Sequence, residues 1–174
     1  MRALCTHADR CVGCPLITLD YAGLPARRAA RLVAAASLCP SPARVPIESV
    51  AAAGPITGYR VRAKLVVGAG GAVGLFGSDD HQVIDLPECR VLTAEVAATV
   101  AVLRELIRNP PPGSGATLIP RADGGALVAI DVREARVGHA RTLVSLIVDA
   151  RRGGSEAQAL AAAERDRAQG LGLA

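Results

Sequence analysis

Aromatic side chains are nearly missing from this chain. Its 174 residues include no Trp, one Phe and two Tyr, 2% aromatic against 51% hydrophobic. A core must therefore be built from Ala, Val, Leu and Ile, and each Ala buries little area. A modest core is expected, one that gains from a staple other than hydrophobic burial. Lysine is nearly missing too, with Lys64 the one lysine among 20 basic residues. No apolar run approaches 18 residues, so no transmembrane helix is expected and no membrane partner. The first residues lack the apolar segment of a secretory leader. The five cysteines are odd in number and clustered, which suits metal binding in a reducing compartment better than a disulfide framework. A cytoplasmic protein is expected on these grounds.

The formal net charge is +4 and the isoelectric point about 9.1. An Arg- and Ala-rich composition is also what a GC-rich coding sequence produces. The plain reading is a mildly basic protein. The sharper one is a polyanion partner, because guanidinium groups pair bidentately with phosphate.

Residues 1–14 read MRALCTHADRCVGC and place three cysteines as Cys5-x5-Cys11-x2-Cys14. A Cys-x2-Cys loop turns back on itself, so both sulfurs can face one metal. Cys5 can add a third ligand if the loop folds over the pair. A fourth must come from further along, and Cys39 and Cys89 are the candidates. Thiolate chemistry alone allows tetrahedral zinc or an iron–sulfur cluster.

Further along, residues 26–37 have helical propensity, with Arg27, Arg28 and Arg31 on one side and Leu32, Val33 and Ala36 on the other. Cys39-Pro-Ser-Pro42 ends that helix. Residues 44–49 are a short strand candidate, kept to an edge by Pro46. Residues 59–67, YRVRAKLVV, alternate. Tyr59, Val61, Ala63, Leu65 and Val67 fall on one face, and Arg60, Arg62 and Lys64 on the other. Cations about 7 Å apart along a strand can follow a nucleic-acid backbone; simple solvation of an amphipathic strand is the bland alternative.

The glycines of residues 68–74 look like a cofactor-binding turn, but no helical period follows them. Residues 68–71 are therefore expected to be a hairpin turn, with strands near 72–77 and 81–86. Thr93 is a candidate N-cap for a helix over 94–108, where Val96, Val100, Leu103 and Leu106 or Ile107 give helical spacing. Residues 110–112, all proline, end it. A short strand at 116–120, strands over 127–133 and 142–148, and a helix over 156–168 complete the chain.

The order of these pieces resembles one family. Cys-x5-Cys-x2-Cys, then YRVRAKL, then a glycine hairpin, then Cys89 after an Asp-containing strand, is similar to the bacterial RNA 5-methyluridine methyltransferases. These are S-adenosylmethionine-dependent enzymes that methylate uracil C5 in ribosomal RNA. The resemblance spans roughly residues 1–174 and is strongest over 5–14 and 58–92. It implies a 4Fe-4S cluster with Cys5, Cys11, Cys14 and Cys89 as ligands. Cys39 has no counterpart in the motif and is expected to stay a free thiol. The resemblance implies RNA contacts at Tyr59, Arg60, Arg62 and Lys64, with ribosomal RNA as the partner.

The chain looks like the form without the family's N-terminal β-barrel. The methyltransferase domain, with its S-adenosylmethionine site and nucleophilic cysteine, is expected beyond residue 174. No cysteine follows Cys89, so no thiolate here can attack uracil C6, and no catalytic residue is assigned. We thus expect a mixed α+β fold with an antiparallel-rich sheet, about three helices and a monomeric state. An iron–sulfur loop would occupy 1–22 and an RNA-binding central domain 23–174. The alternative is a stand-alone RNA-binding module stabilised by zinc or a cluster. A ferredoxin-like electron carrier is a third reading, to which the Arg-rich strand lends nothing.

Overall fold

Strict alternation in the sequence becomes a strand at β1 (Arg62–Val67). The computed structural model describes residues 4–39, 46, 49–51, 54–78, 81–137 and 140–152. Ala63, Leu65 and Val67 are buried, while Arg62 and Lys64 are exposed. The chain then reverses through a 3-10 turn at Ala69–Gly71. Gly70 and Gly71 have φ of 62° and 71° there, the left-handed region that glycine enters without a Cβ penalty. β2 (Val73–Phe76) returns antiparallel, pairing Val66 with Gly74. The glycine stretch is thus a hairpin turn. β3 (Val83–Asp85) pairs antiparallel with β2.

β4 (Leu127–Val137) and β5 (Ala140–Val148) complete the sheet. The order is β3-β2-β1-β4-β5, and every pairing is antiparallel. Register sets Lys64 opposite Asp131 and Arg62 opposite Arg133. Side chains alternate between faces along a strand. One face of the sheet therefore carries Arg62, Lys64, Asp131 and Arg133, and the other carries Ala63, Leu65, Ile130 and Val132.

Helix α2 (Ala94–Arg108) covers the apolar face with Val96, Val100 and Ile107. Arg104 is buried on the same side of the helix, where an apolar residue would be expected. Its Nη1 donates to the Val73 carbonyl at 2.9 Å and its Nη2 to Asp85 Oδ2 at 2.6 Å. Arg108 Nη2 reaches the same oxygen at 2.9 Å, and Asp85 Oδ1 accepts from Val73 N–H. Burial pushes the Asp85 carboxyl up, but these donors outweigh it and hold it below its ordinary value. This clamp fastens α2 to β2 and β3.

The fold is α+β, as expected, with differences in detail and some expected elements outside the described residues. Two α-helices lie among the described residues; the helix expected over 156–168 lies outside them. The strand expected from residue 59 begins at Arg62, because Gly58 and Arg60 pair instead with residues 90–93. Tyr59 and Val61 are exposed. The short strand at 116–120 is a 3-10 turn at Gly115–Thr117, with Pro120 bridged to Leu127. Of the strand expected over 44–49, Pro46 and Ser49 belong to no element, and the rest lies outside the described residues.

Helix α1 (Leu24–Ser37) forms, but only Leu24 is buried. Leu32 and Val33, which the pattern places inward, are 49% and 54% exposed. A helical period defines an apolar face without supplying something to cover it. Thr93 occupies the N-cap position of α2, yet its hydroxyl makes no capping bond.

Asp131 gives the fold a pH signature. Arg62 Nε and Nη2 donate to its two oxygens at 3.1 and 2.6 Å, and Arg133 adds a contact at 3.3 Å. The Arg62 hydrogen bonds are the chief reason its carboxyl is held at about 2. An unfolded Asp titrates near 4. The stabilisation is therefore complete above about pH 4 and is lost as pH falls toward 2. Asp131→Asn should flatten that part of a urea-midpoint-against-pH profile. An unaltered acid slope in the variant would show that the ion pair contributes nothing.

Candidate metal centre and cationic face

The cysteine loop is built from tight turns. His7 carbonyl accepts from Arg10 and Cys11 N–H at 3.2 and 2.7 Å, and Cys14 carbonyl accepts from Ile17 N–H at 3.0 Å. Cys11 bridges antiparallel to Gly77, just past the end of β2, which docks the loop on the sheet. Gly13 lies so close to it that an added Cβ would sit 2.8 Å from Leu75 Cδ1 and 3.4 Å from Cys11 Sγ. Gly13 N–H also donates to Cys11 Sγ at 3.4 Å.

Cys89 arrives from the other side. Gly58 N–H donates to Arg90 O at 2.9 Å, Arg60 N–H to Val91 O at 2.7 Å, and Thr93 N–H to Arg60 O at 3.1 Å. These bonds lay residues 89–93 alongside the chain leading into β1, and Cys89 packs against the core. As a result Cys5, Cys11, Cys14 and Cys89 line one small cavity of about 20 Å³, together with His7. Cys39 is exposed and does not line it.

Burial pushes the Cys14 thiol up, and Cys89, Cys11 and Cys5 push the same way, while Arg60 alone opposes them. Four thiolates cannot share this space without a compensating cation. A metal ion or cluster supplies one and deprotonates the thiols it binds. No group of three or more His, Cys, Asp or Glu among the described residues is drawn tightly enough to hold a single ion. The four cysteines line the cavity, and the structure by itself assigns no particular metal. The donor set and the N–H bond already aimed at Cys11 fit a thiolate-held centre. His7 is buried with both ring nitrogens unpartnered. Such orphaned groups cost about 1–3 kcal/mol each.

The four residues expected to contact RNA do not form one stripe. Arg60 is half-buried and turned to the cysteine side, close enough to act on Cys14. Arg62 is engaged by Asp131. Lys64 is exposed on the polar face of the sheet. Tyr59 lines a separate pocket of about 540 Å³ with Tyr21, Arg28, Leu24 and Cys14. Arg133 is the residue sequence reasoning missed. It stands across from Arg62 and gives the polar face three cations around one carboxylate. The signal was the i, i+2 pair Asp131 and Arg133, which puts two opposite charges on one face of a strand that opens with four apolar residues. Which strand it would adjoin is a matter of register, and register is not written locally.

Fold and site together define an α+β chain with a candidate four-cysteine centre at one end of an antiparallel sheet and a cationic face beside it. No protein-family model matches the chain, and no curated protein matches it. The resemblance to RNA 5-methyluridine methyltransferases rests on the residues alone. Among the described residues no helix is long and apolar enough to cross a membrane.

The ligand set makes a sharp prediction. Cys89→Ser should lower bound metal as completely as Cys11→Ser, and Cys39→Ser should leave it unchanged. Metal analysis of the purified variants checks this. Loss in Cys39→Ser with retention in Cys89→Ser would contradict the assignment.

Proposed function

We propose that this chain is the iron–sulfur and RNA-binding portion of an RNA uracil-C5 methyltransferase acting on ribosomal RNA. The observation that carries the reading is the meeting of Cys89 with Cys5, Cys11 and Cys14 around one cavity, although Cys89 lies 75 positions after Cys14. That meeting is what the resemblance requires of its cluster ligands. Chance packing of unrelated cysteines does not call for it.

In this reading Cys5, Cys11, Cys14 and Cys89 hold a 4Fe-4S cluster. When bound, the cluster supplies a rigid cross-link between the N-terminal loop and the segment after β3. Its role is structural, because methyl transfer to uracil requires no electron transfer. The contribution of these residues is RNA binding. Lys64 and Arg133 offer charge to phosphates from the open sheet face. Tyr59, 49% exposed, offers a ring on which an unpaired base can stack, a contact that tolerates any base. Arg62 serves the fold first, through Asp131, and is the poorest of the cations for phosphate contact. S-adenosylmethionine and the nucleophilic cysteine belong to the catalytic part of the family enzyme.

The test is salt dependence. Each phosphate contact on single-stranded RNA contributes about 0.7 to the slope of log affinity against log salt. The double variant Lys64→Gln/Arg133→Gln should therefore bind a ribosomal RNA fragment more weakly, with a slope shallower by about 1.4. Filter binding or fluorescence anisotropy across a salt series measures it. A slope equal to that of the parent would remove this face from the interface.

A further inference from the structure

His7 is 9% exposed, and neither Nδ1 nor Nε2 has a hydrogen-bond partner. The residue lines the cavity of the four cysteines. Its backbone is not free to carry the ring elsewhere, since its carbonyl accepts two N–H groups from the loop, those of Arg10 and Cys11. Buried polar side chains in folded proteins are almost always paired. A buried imidazole that lines the same cavity as four cysteines, with both nitrogens unpartnered, therefore points to a partner inside the cavity. Arg90, which also lines it, has only donors and cannot pair with an N–H. Among the lining side chains the acceptors on offer are the sulfurs.

We propose that His7 donates a ring N–H hydrogen bond to a sulfur of the metal centre held by Cys5, Cys11, Cys14 and Cys89, as a positioning residue and not as a ligand. The proposal rests on reading those cysteines as a metal centre. Four thiolates already fill the four positions of a tetrahedral ion or the four corners of a cubane, so a fifth protein donor finds no open place. A neutral imidazole has one N–H to give, and a metal-bound thiolate or bridging sulfide accepts it. Gly13 N–H already makes a bond of this kind to Cys11. His7 adds a second. Bonds to cluster sulfur favour the more negative, reduced state and hold the ligands in place.

The experiment compares the parent protein, His7→Leu and His7→Gln, purified anaerobically with their metal. Metal content, the rate of metal loss to a chelator and, for bound iron–sulfur, the midpoint potential are measured. All three proteins should carry the same metal per chain. His7→Leu should lose it about 10-fold faster and show a lower potential. His7→Gln, which keeps an N–H donor, should recover part of both. A purely packing role would instead favour Leu, or move neither quantity. Parent-like loss rate and potential in His7→Leu would overturn the proposal alone. Loss of metal in His7→Leu as complete as in Cys11→Ser would also overturn it, by making His7 a ligand. A parent protein without metal would remove the reading of the cysteines on which the proposal stands.

Discussion

The main-chain bonds between residues 58–60 and 90–93 set the position of everything near the cysteines. They join the lead into β1 to the segment between β3 and α2. Without them Cys89 would have no fixed relation to the N-terminal loop. The bridge from Cys11 to Gly77 holds the loop from its other side. Two pieces of chain remote in sequence are thus brought to one cavity by backbone pairing rather than by large side chains. This suits a chain with so few aromatics, in which the core is Val, Leu, Ile and Ala and the proposed metal-held cross-link would add stability where burial is thin.

Electrostatics divide the molecule into two parts. At the cavity, burial and neighbouring sulfurs disfavour the Cys14 thiolate, and Arg60 gives only partial relief. On the polar sheet face the balance is reversed, with Asp131 surrounded by Arg62 and Arg133 and facing Lys64. One carboxylate there organises the cations and leaves the face net positive. At the far edge Asp85 plays a structural part for Arg104 and Arg108. Two arginines of an Arg-rich chain are thereby spent on holding α2, so total charge overstates what is open to a polyanion.

Much of this was legible in advance, and for identifiable reasons. The alternation Ala63, Leu65, Val67 defined β1, the period Val96, Val100, Ile107 defined α2, and residues 68–71 had turn chemistry with no helix to follow. Local patterns of this kind persist because each element buries the face they mark. What was not legible depends on neighbours. Arg133 joins Arg62 only through the register of β4 on β1. Arg60 leaves the stripe of Arg62 and Lys64 because its backbone pairs with Val91 and Thr93. Arg104 reads as an interruption of the apolar face of α2 until Asp85 is seen beneath it. The Cys-x2-Cys spacing marked a candidate metal centre, whereas the choice between Cys39 and Cys89 needed either the family resemblance or the fold. His7, inside the x5 spacer, carried no signal beyond its place between ligands.

The most direct measurement is the metal and acid-labile sulfide content of anaerobically purified protein, taken with its visible absorption spectrum. The account predicts about four irons and matching sulfide per chain, with the broad charge-transfer absorption of a cubane held by four cysteines. One zinc per chain with no iron or sulfide would contradict it, and would recast the molecule as a zinc-stabilised binding module.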